Sequence, residues 1–127
     1  MKYLIDTHTF IWYINGERGL SRTAFGYLEN QSTEKYVSIV SLWEIAIKFH
    51  LGRLRLKMSF IELENYAQTR DLTILPVKFK HICRLLTLPH LHRDPFDRFL
   101  ISQAFAEELV LISKDTRFAA YQVPTIW

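Results

Sequence analysis

Four carboxylates, Asp6, Glu44, Asp97 and Asp115, fall where short apolar runs end or helices begin. Like charges brought together raise one another's pKa and cost folding energy. A fold that gathers four acids is therefore expected to hold a cation. Oxygen-only ligands select a hard ion, Mg²⁺ or Mn²⁺, which keeps several waters and accepts phosphate oxygens as further ligands. Such an ion activates a water in line with a phosphodiester and stabilises charge on the leaving oxygen. Each acid also has an ordinary explanation. Asp6 fits a helix N-cap, Ser41-Leu42-Trp43-Glu44 fits a capping box, Asp97 complements a helix dipole and Asp115 fits a turn after a strand.

The elements that must position these acids follow from the apolar spacing. Residues 2–5 read as a buried strand, 8–14 as an apolar helix, 21–30 as a helix capped by Ser21, and 36–38 as a short strand. A helix over 41–51 ends at Gly52. In it Leu42, Ile45, Ala46 and Phe49 form the buried face, with Ser41, Glu44 and Lys48 on another side. Further on come a helix over 59–70, a strand over 72–75 closed by Pro76, and a weaker helix over 78–86. Asp94 is a good N-cap and Pro95 suits the first helical position of a helix reaching Glu108, which feeds a strand over 110–113. Strands separated by such helices predict an α/β fold, a three-layer α/β/α sandwich around a mainly parallel sheet. In open sheets of that kind sites form beyond the carboxyl ends of strands, where Asp6 and Asp115 lie.

A chain of 127 residues with 49% apolar content suits one domain, residues 1–127, with one core. The apolar run at Tyr3-Leu4-Ile5 is cut by Asp6, and no stretch reaches membrane-span length. With Cys83 as its only cysteine, the chain is expected to be soluble, intracellular and cytoplasmic, with no membrane partner. Of 13 acids, four are assigned to the site, which leaves nine against 16 basic groups on the rest of the molecule. A basic exterior around an acidic cleft suits a polyanion, nucleic acid above all.

Other chemistries find less support. No base marks Cys83 or a serine as a nucleophile, and the four glycines form no phosphate loop. Position 8 is His rather than the second acid of a phosphoaspartyl enzyme of the haloacid dehalogenase type. Pro76 stands where a receiver domain would carry its acid. His90 and His92, with His81 and Cys83, have no recognised zinc spacing. His92 and Arg93 are read as loop groups that meet RNA or a partner protein.

The same segments resemble a family, the PIN-domain ribonucleases, and within it the VapC-type toxins of bacterial toxin–antitoxin pairs. The resemblance runs nearly end to end, through Leu4-Ile5-Asp6-Thr7-His8, Ser41-Leu42-Trp43-Glu44-Ile45-Ala46-Ile47-Lys48, His92-Arg93-Asp94-Pro95-Phe96-Asp97-Arg98 and Ser113-Lys114-Asp115. It implies that Asp6, Glu44, Asp97 and Asp115 form an acidic metal pocket and that Ser113 or Thr7 supports a carboxylate or a metal water. Ser41 and Asp94 are further supporting residues. It also implies magnesium-dependent cleavage of RNA, a homodimer, and silencing by a small antitoxin that places a segment at the acidic groove. Arg98 is left with three roles: orienting Asp97, binding phosphate, or a surface ion pair. A non-catalytic RNA- or protein-binding module and a metal-dependent DNA nuclease are the alternatives.

Overall fold

The computed structural model describes residues 1–127. Five strands, β1 (Lys2–Ile5), β2 (Glu34–Ser38), β3 (Leu72–Leu75), β4 (Val110–Ile112) and β5 (Thr125–Ile126), form one sheet in the order β3-β2-β1-β4-β5. Every pairing is parallel. Parallel strands need crossover connections. These are supplied by α1 (Thr7–Asn15), α2 (Arg22–Glu29), α3 (Ile39–His50), α4 (Leu63–Thr69), α5 (Phe79–Leu85) and α6 (Pro95–Glu107).

Successive residues of a strand point to opposite faces, and β1 divides the core accordingly. Tyr3 and Ile5 join Phe10 and Ile14 of α1, Leu28 of α2, Ile45 of α3 and Leu63 of α4. Leu4 faces the other way and packs with Leu100, Ile101 and Ala104 of α6 and with Phe118. The sandwich is therefore three-layered, with β1 buried at its centre.

Several boundaries differ from those read in the sequence. Ser38, not Ser41, caps α3, its side chain accepting from Val40 N at 3.0 Å. The helix accordingly starts at Ile39, and Ser41 is freed from capping. The helix expected over 59–70 is a 3-10 turn at Phe60–Glu62 followed by α4. The strand β5 and the 3-10 segment Thr116–Tyr121 went unread.

On the α5–α6 face, buried His81 uses one ring nitrogen to accept from Lys78 N at 3.0 Å and bonds Glu107 through the other at 2.6 Å. That pairing accounts for His81 without a metal. Burial raises the Glu107 carboxyl, but His81, Lys80 and Lys78 outweigh it and hold the group at about 2. A carboxyl depressed in the folded state stabilises above its ordinary pKa, and the contribution fades as pH falls through about 4 toward 2. Glu107→Gln is expected to cost on the order of 2 kcal/mol at pH 7. Urea denaturation at pH 7 and pH 3 checks this, the gap narrowing at the lower pH.

Candidate active site at the carboxyl edge of the sheet

Chain order runs outward from β1 through β2 to β3 on one side and through β4 to β5 on the other. The crevice between β1 and β4 is thus the point where strand order reverses, the usual place for a ligand in an open parallel sheet. Asp6 follows β1 there, and Ser113 and Asp115 follow β4. Helix α3 leaves β2 at the same edge carrying Ser41 and Glu44. Helix α6 returns to the start of β4, so its first turn, with Asp97, stands at the same edge.

Asp6 caps α1 and also lines the crevice. Its Oδ1 accepts from Thr9 N at 2.8 Å, and its Oδ2 accepts from the Ser113 hydroxyl. Ser113 Oγ in turn accepts from Asp115 N at 3.0 Å. One buried hydroxyl thus ties the ends of β1 and β4 together. Thr7 donates to Ser41 Oγ at 2.9 Å, which fixes α3 against the start of α1 one turn before Glu44. Thr7 therefore supports α3, whereas Ser113 supports a carboxylate directly. Ser113→Ala is expected to lower catalytic rate about 10–100-fold, the usual cost of losing a group that orients a ligand, while Thr7→Ala acts mainly on stability. Single-turnover cleavage and thermal melting separate the two.

Glu44 lies at the edge of the core, 5% exposed, rather than on an open face of α3. Its Oε2 pairs with Lys48 Nζ at 2.9 Å, while its Oε1 is buried without a hydrogen-bond partner. Buried carboxylate oxygens are normally satisfied, so this one marks a place where a donor or cation belongs. Asp97 is also largely buried. Burial, reinforced by Asp94, Glu44 and Asp115 and opposed by Arg117, pushes its carboxyl up to about 7.

Arg117 was not singled out from the sequence. Its Nη2 lies 2.7 Å from Asp115 Oδ2, its Nε lies 3.1 Å from both Asp115 oxygens, and Nη2 stands 3.5 Å from Asp97 Oδ2. This guanidinium holds the Asp115 carboxyl below the usual carboxylate range. His92 adds no charge: burial, then Arg117, lowers its imidazole. Its Nδ1 bonds Tyr121 Oη at 2.9 Å and its Nε2 is 3.6 Å from Asp97. Asp94 caps α6, accepting from Phe96 N at 2.9 Å and Asp97 N at 3.2 Å. Arg98 makes no ion pair with Asp97 or another carboxylate; it bonds Pro89 O at 2.8 Å and Tyr121 Oη at 3.2 Å, and so braces the loop before α6.

As the side chains are oriented, no three histidine, cysteine, aspartate or glutamate groups close on one point at ligand distance. Arg117 lies between Asp97 and Asp115 instead. The donor set nonetheless fits a hard divalent ion. It is all oxygen, one oxygen of Glu44 is buried and unpartnered, and the single nearby cation, Arg117, does not offset the burial and neighbouring carboxylates that raise Asp97.

Comparison with known proteins agrees with this topology. The PIN domain model matches residues 3–124. The chain belongs to the PIN domain family. Among solved structures, VapBC2 from Rickettsia felis, determined bound to a DNA fragment of its promoter, superposes with a TM-score of 0.75 at 17% identity, over 99% of this chain and 98% of that one. A toxin–antitoxin complex from Klebsiella pneumoniae gives 0.67 at 17% identity, over 99% and 97%. FitAcB from Neisseria gonorrhoeae gives 0.66 at 15% identity, over 98% and 96%. No curated protein matches the sequence. The three-layer sandwich around a parallel sheet is the PIN fold, and no helix of this chain is long and apolar enough to cross a membrane.

Proposed function

We propose that this PIN domain is a metal-dependent endoribonuclease and the toxin of a toxin–antitoxin pair in the cytoplasm. The observation that carries the reading is the delivery of Asp6, Glu44, Asp97 and Asp115 by four separate segments to one crevice edge, with Asp97 raised to about 7 by burial and by its neighbours. Structural elements alone have no need of such crowding. The four carboxylates would hold Mg²⁺, or Mn²⁺ in its place. A bound divalent ion supplies a water of lowered pKa and neutralises charge on the leaving oxygen.

The chain's own residues prepare that reaction. Ser113 and Thr9 N fix both oxygens of Asp6, leaving their remaining lone pairs for the site. Asp97 must release its proton when its charge is compensated, so loading strengthens as pH rises through about 7. Arg117 is the counter-charge of Asp115 and Asp97 until then, and once displaced its guanidinium would be free to pair with a phosphate oxygen. Water adds to phosphorus and gives up one proton, the bond to the leaving oxygen breaks, and that oxygen takes up one proton, so that none is gained or lost overall.

Two depressions give protein partners room, the first of mixed aromatic and charged lining that includes Glu17, Arg22, Glu29 and Arg70, the second apolar. One, lined by Trp12, Tyr13, Leu20, Phe25 and Tyr66, lies between α1, α2 and α4; the other, lined by Ile39, Trp43, Val77, Phe96 and Phe99, lies between α3 and α6. A cognate antitoxin and a second copy of the chain are the partners this reading requires, as the structural relatives named above include toxin–antitoxin assemblies. Purified protein is expected to cleave RNA with Mg²⁺ or Mn²⁺ and to stop on addition of EDTA, with DNA of the same sequence cut poorly. Cleavage that persists in EDTA, or none on a broad RNA panel, contradicts the proposal.

A further inference from the structure

A cavity of about 200 Å³ opens beside the acidic cluster, lined by Asp6, His8, Trp12, Lys114 and Asp115. Two of its five walls are carboxylates of the catalytic set. The other three are of a different kind: an indole and two exposed nitrogen-bearing side chains. The His8 ring lies 6.2 Å from the Trp12 ring and Lys114 Nζ lies 5.9 Å over it. Both residues are exposed, His8 two residues past Asp6 in the first turn of α1 and Lys114 next to Asp115 in the segment that follows β4.

The indole, by contrast, is firmly held. Trp127 meets it edge-on at 5.7 Å. Gly19 lies so close behind it that a Cβ there would come within 2.9 Å of the ring. That close approach explains a glycine at a position with no unusual backbone angle. A large aromatic side chain is thus braced from two directions yet left only half-buried, on the wall of a cavity that touches the carboxylates.

A fixed aromatic surface beside the Lys114 ammonium and the exposed His8 ring suits an unpaired nucleotide, because every base has a face that stacks and every linkage carries a charge. We infer that this cavity is a nucleotide subsite for single-stranded RNA, in which the base adjoining the scissile linkage stacks on Trp12 and its phosphate is met by Lys114 and His8. The inference deepens the nuclease reading and rests on it. Lys114, on its flexible stem, moves from the indole to the phosphate as the base arrives. Positioning of the substrate by groups outside the metal pocket would follow, with the base next to the cut held against the protein.

The test is equilibrium binding of a short fluorescein-labelled single-stranded RNA to the whole protein in EDTA, where no cleavage occurs. Wild-type protein is expected to bind. Lys114→Gln should weaken binding and lower the slope of log affinity against log salt by about one, and Trp12→Leu should weaken it roughly tenfold. Lys80→Gln, whose side chain pairs with Glu107 on the opposite face, should leave both unchanged. Because Lys114 is exposed, its variant folds regardless of what Trp12→Leu does. Equal affinity and salt slope for wild type and Lys114→Gln overturns the subsite, as does an absence of binding by the wild type. Failure of the nuclease reading is distinguishable, since it appears as intact binding in EDTA with no cleavage when Mg²⁺ or Mn²⁺ is restored.

Discussion

Asp97→Asn and Asp6→Asn are each expected to reduce metal-dependent RNA cleavage by more than roughly 100-fold, since even removing a partner that only orients a metal ligand costs about 10–100-fold. The two carboxyls differ in how they are held. Asp6 is fixed by Thr9 N and Ser113, so its amide variant loses a ligand charge and must also turn an NH₂ group toward one of two donors. Asp97 has no such clamp; its neighbours are Arg117 at 3.5 Å and His92 at 3.6 Å. Asp97→Asn keeps the shape and loses only the charge. Cleavage should therefore fall for both, with structure least disturbed by the change in α6. Single-turnover rates at saturating Mn²⁺ check this, and a rate within tenfold of wild type at either position would remove that carboxylate from the site.

The same Asp97→Asn substitution should make the metal-free protein more stable. The Asp97 carboxyl titrates at about 7 when folded against an ordinary value of 3.8, so it carries a proton in the folded chain where the unfolded chain has already lost it. Stability therefore declines as pH rises from about 4 to about 7, then levels off. A carboxamide in its place has no proton to lose. Asp97→Asn is expected to match wild type below pH 4 and to exceed it by on the order of 3 kcal/mol above pH 7 in EDTA. Urea denaturation across that range reads the difference directly. Saturating Mn²⁺ should reverse the order, because binding stabilises only the form that binds. A variant less stable than wild type at pH 8 in EDTA would show that burial and like charge do not burden this position.

Much of the scaffold was legible because its signals are local. The run Tyr3-Leu4-Ile5 ending at Asp6, and the pair Asp94-Pro95 opening α6, each combine an apolar pattern with a cap that has few other uses. The start of α3 was misplaced for an equally physical reason. Ser38 and Ser41 both offer a hydroxyl before an apolar helical run, and only the sheet register, in which Ser38 pairs with Leu75, decides which is free to cap. Burial of Glu44 was invisible for the same cause. Its helical spacing puts it beside Ser41, away from Leu42 and Ile45, but the neighbouring α1 and α6 cover that side too.

Arg117 eluded the sequence because nothing periodic leads to it. It lies two residues beyond Asp115 in a 3-10 segment, and its significance comes from Asp97, twenty residues earlier in the chain. Arg98 was the natural candidate for that role, being next to Asp97, yet side chains one apart on a helix diverge. The helix turns Arg98 toward Pro89 and Tyr121, and the cation at the acidic cleft comes from across the crevice.

Crystals grown in Mn²⁺ and measured for anomalous scattering put the central claim to its most direct trial. The account predicts a peak bounded by the carboxylates of Asp6, Asp97 and Asp115, with Glu44 turned toward it and Arg117 swung away from Asp97. Manganese bound elsewhere with that crevice empty, at a pH above about 7 where Asp97 is ionised, would contradict it.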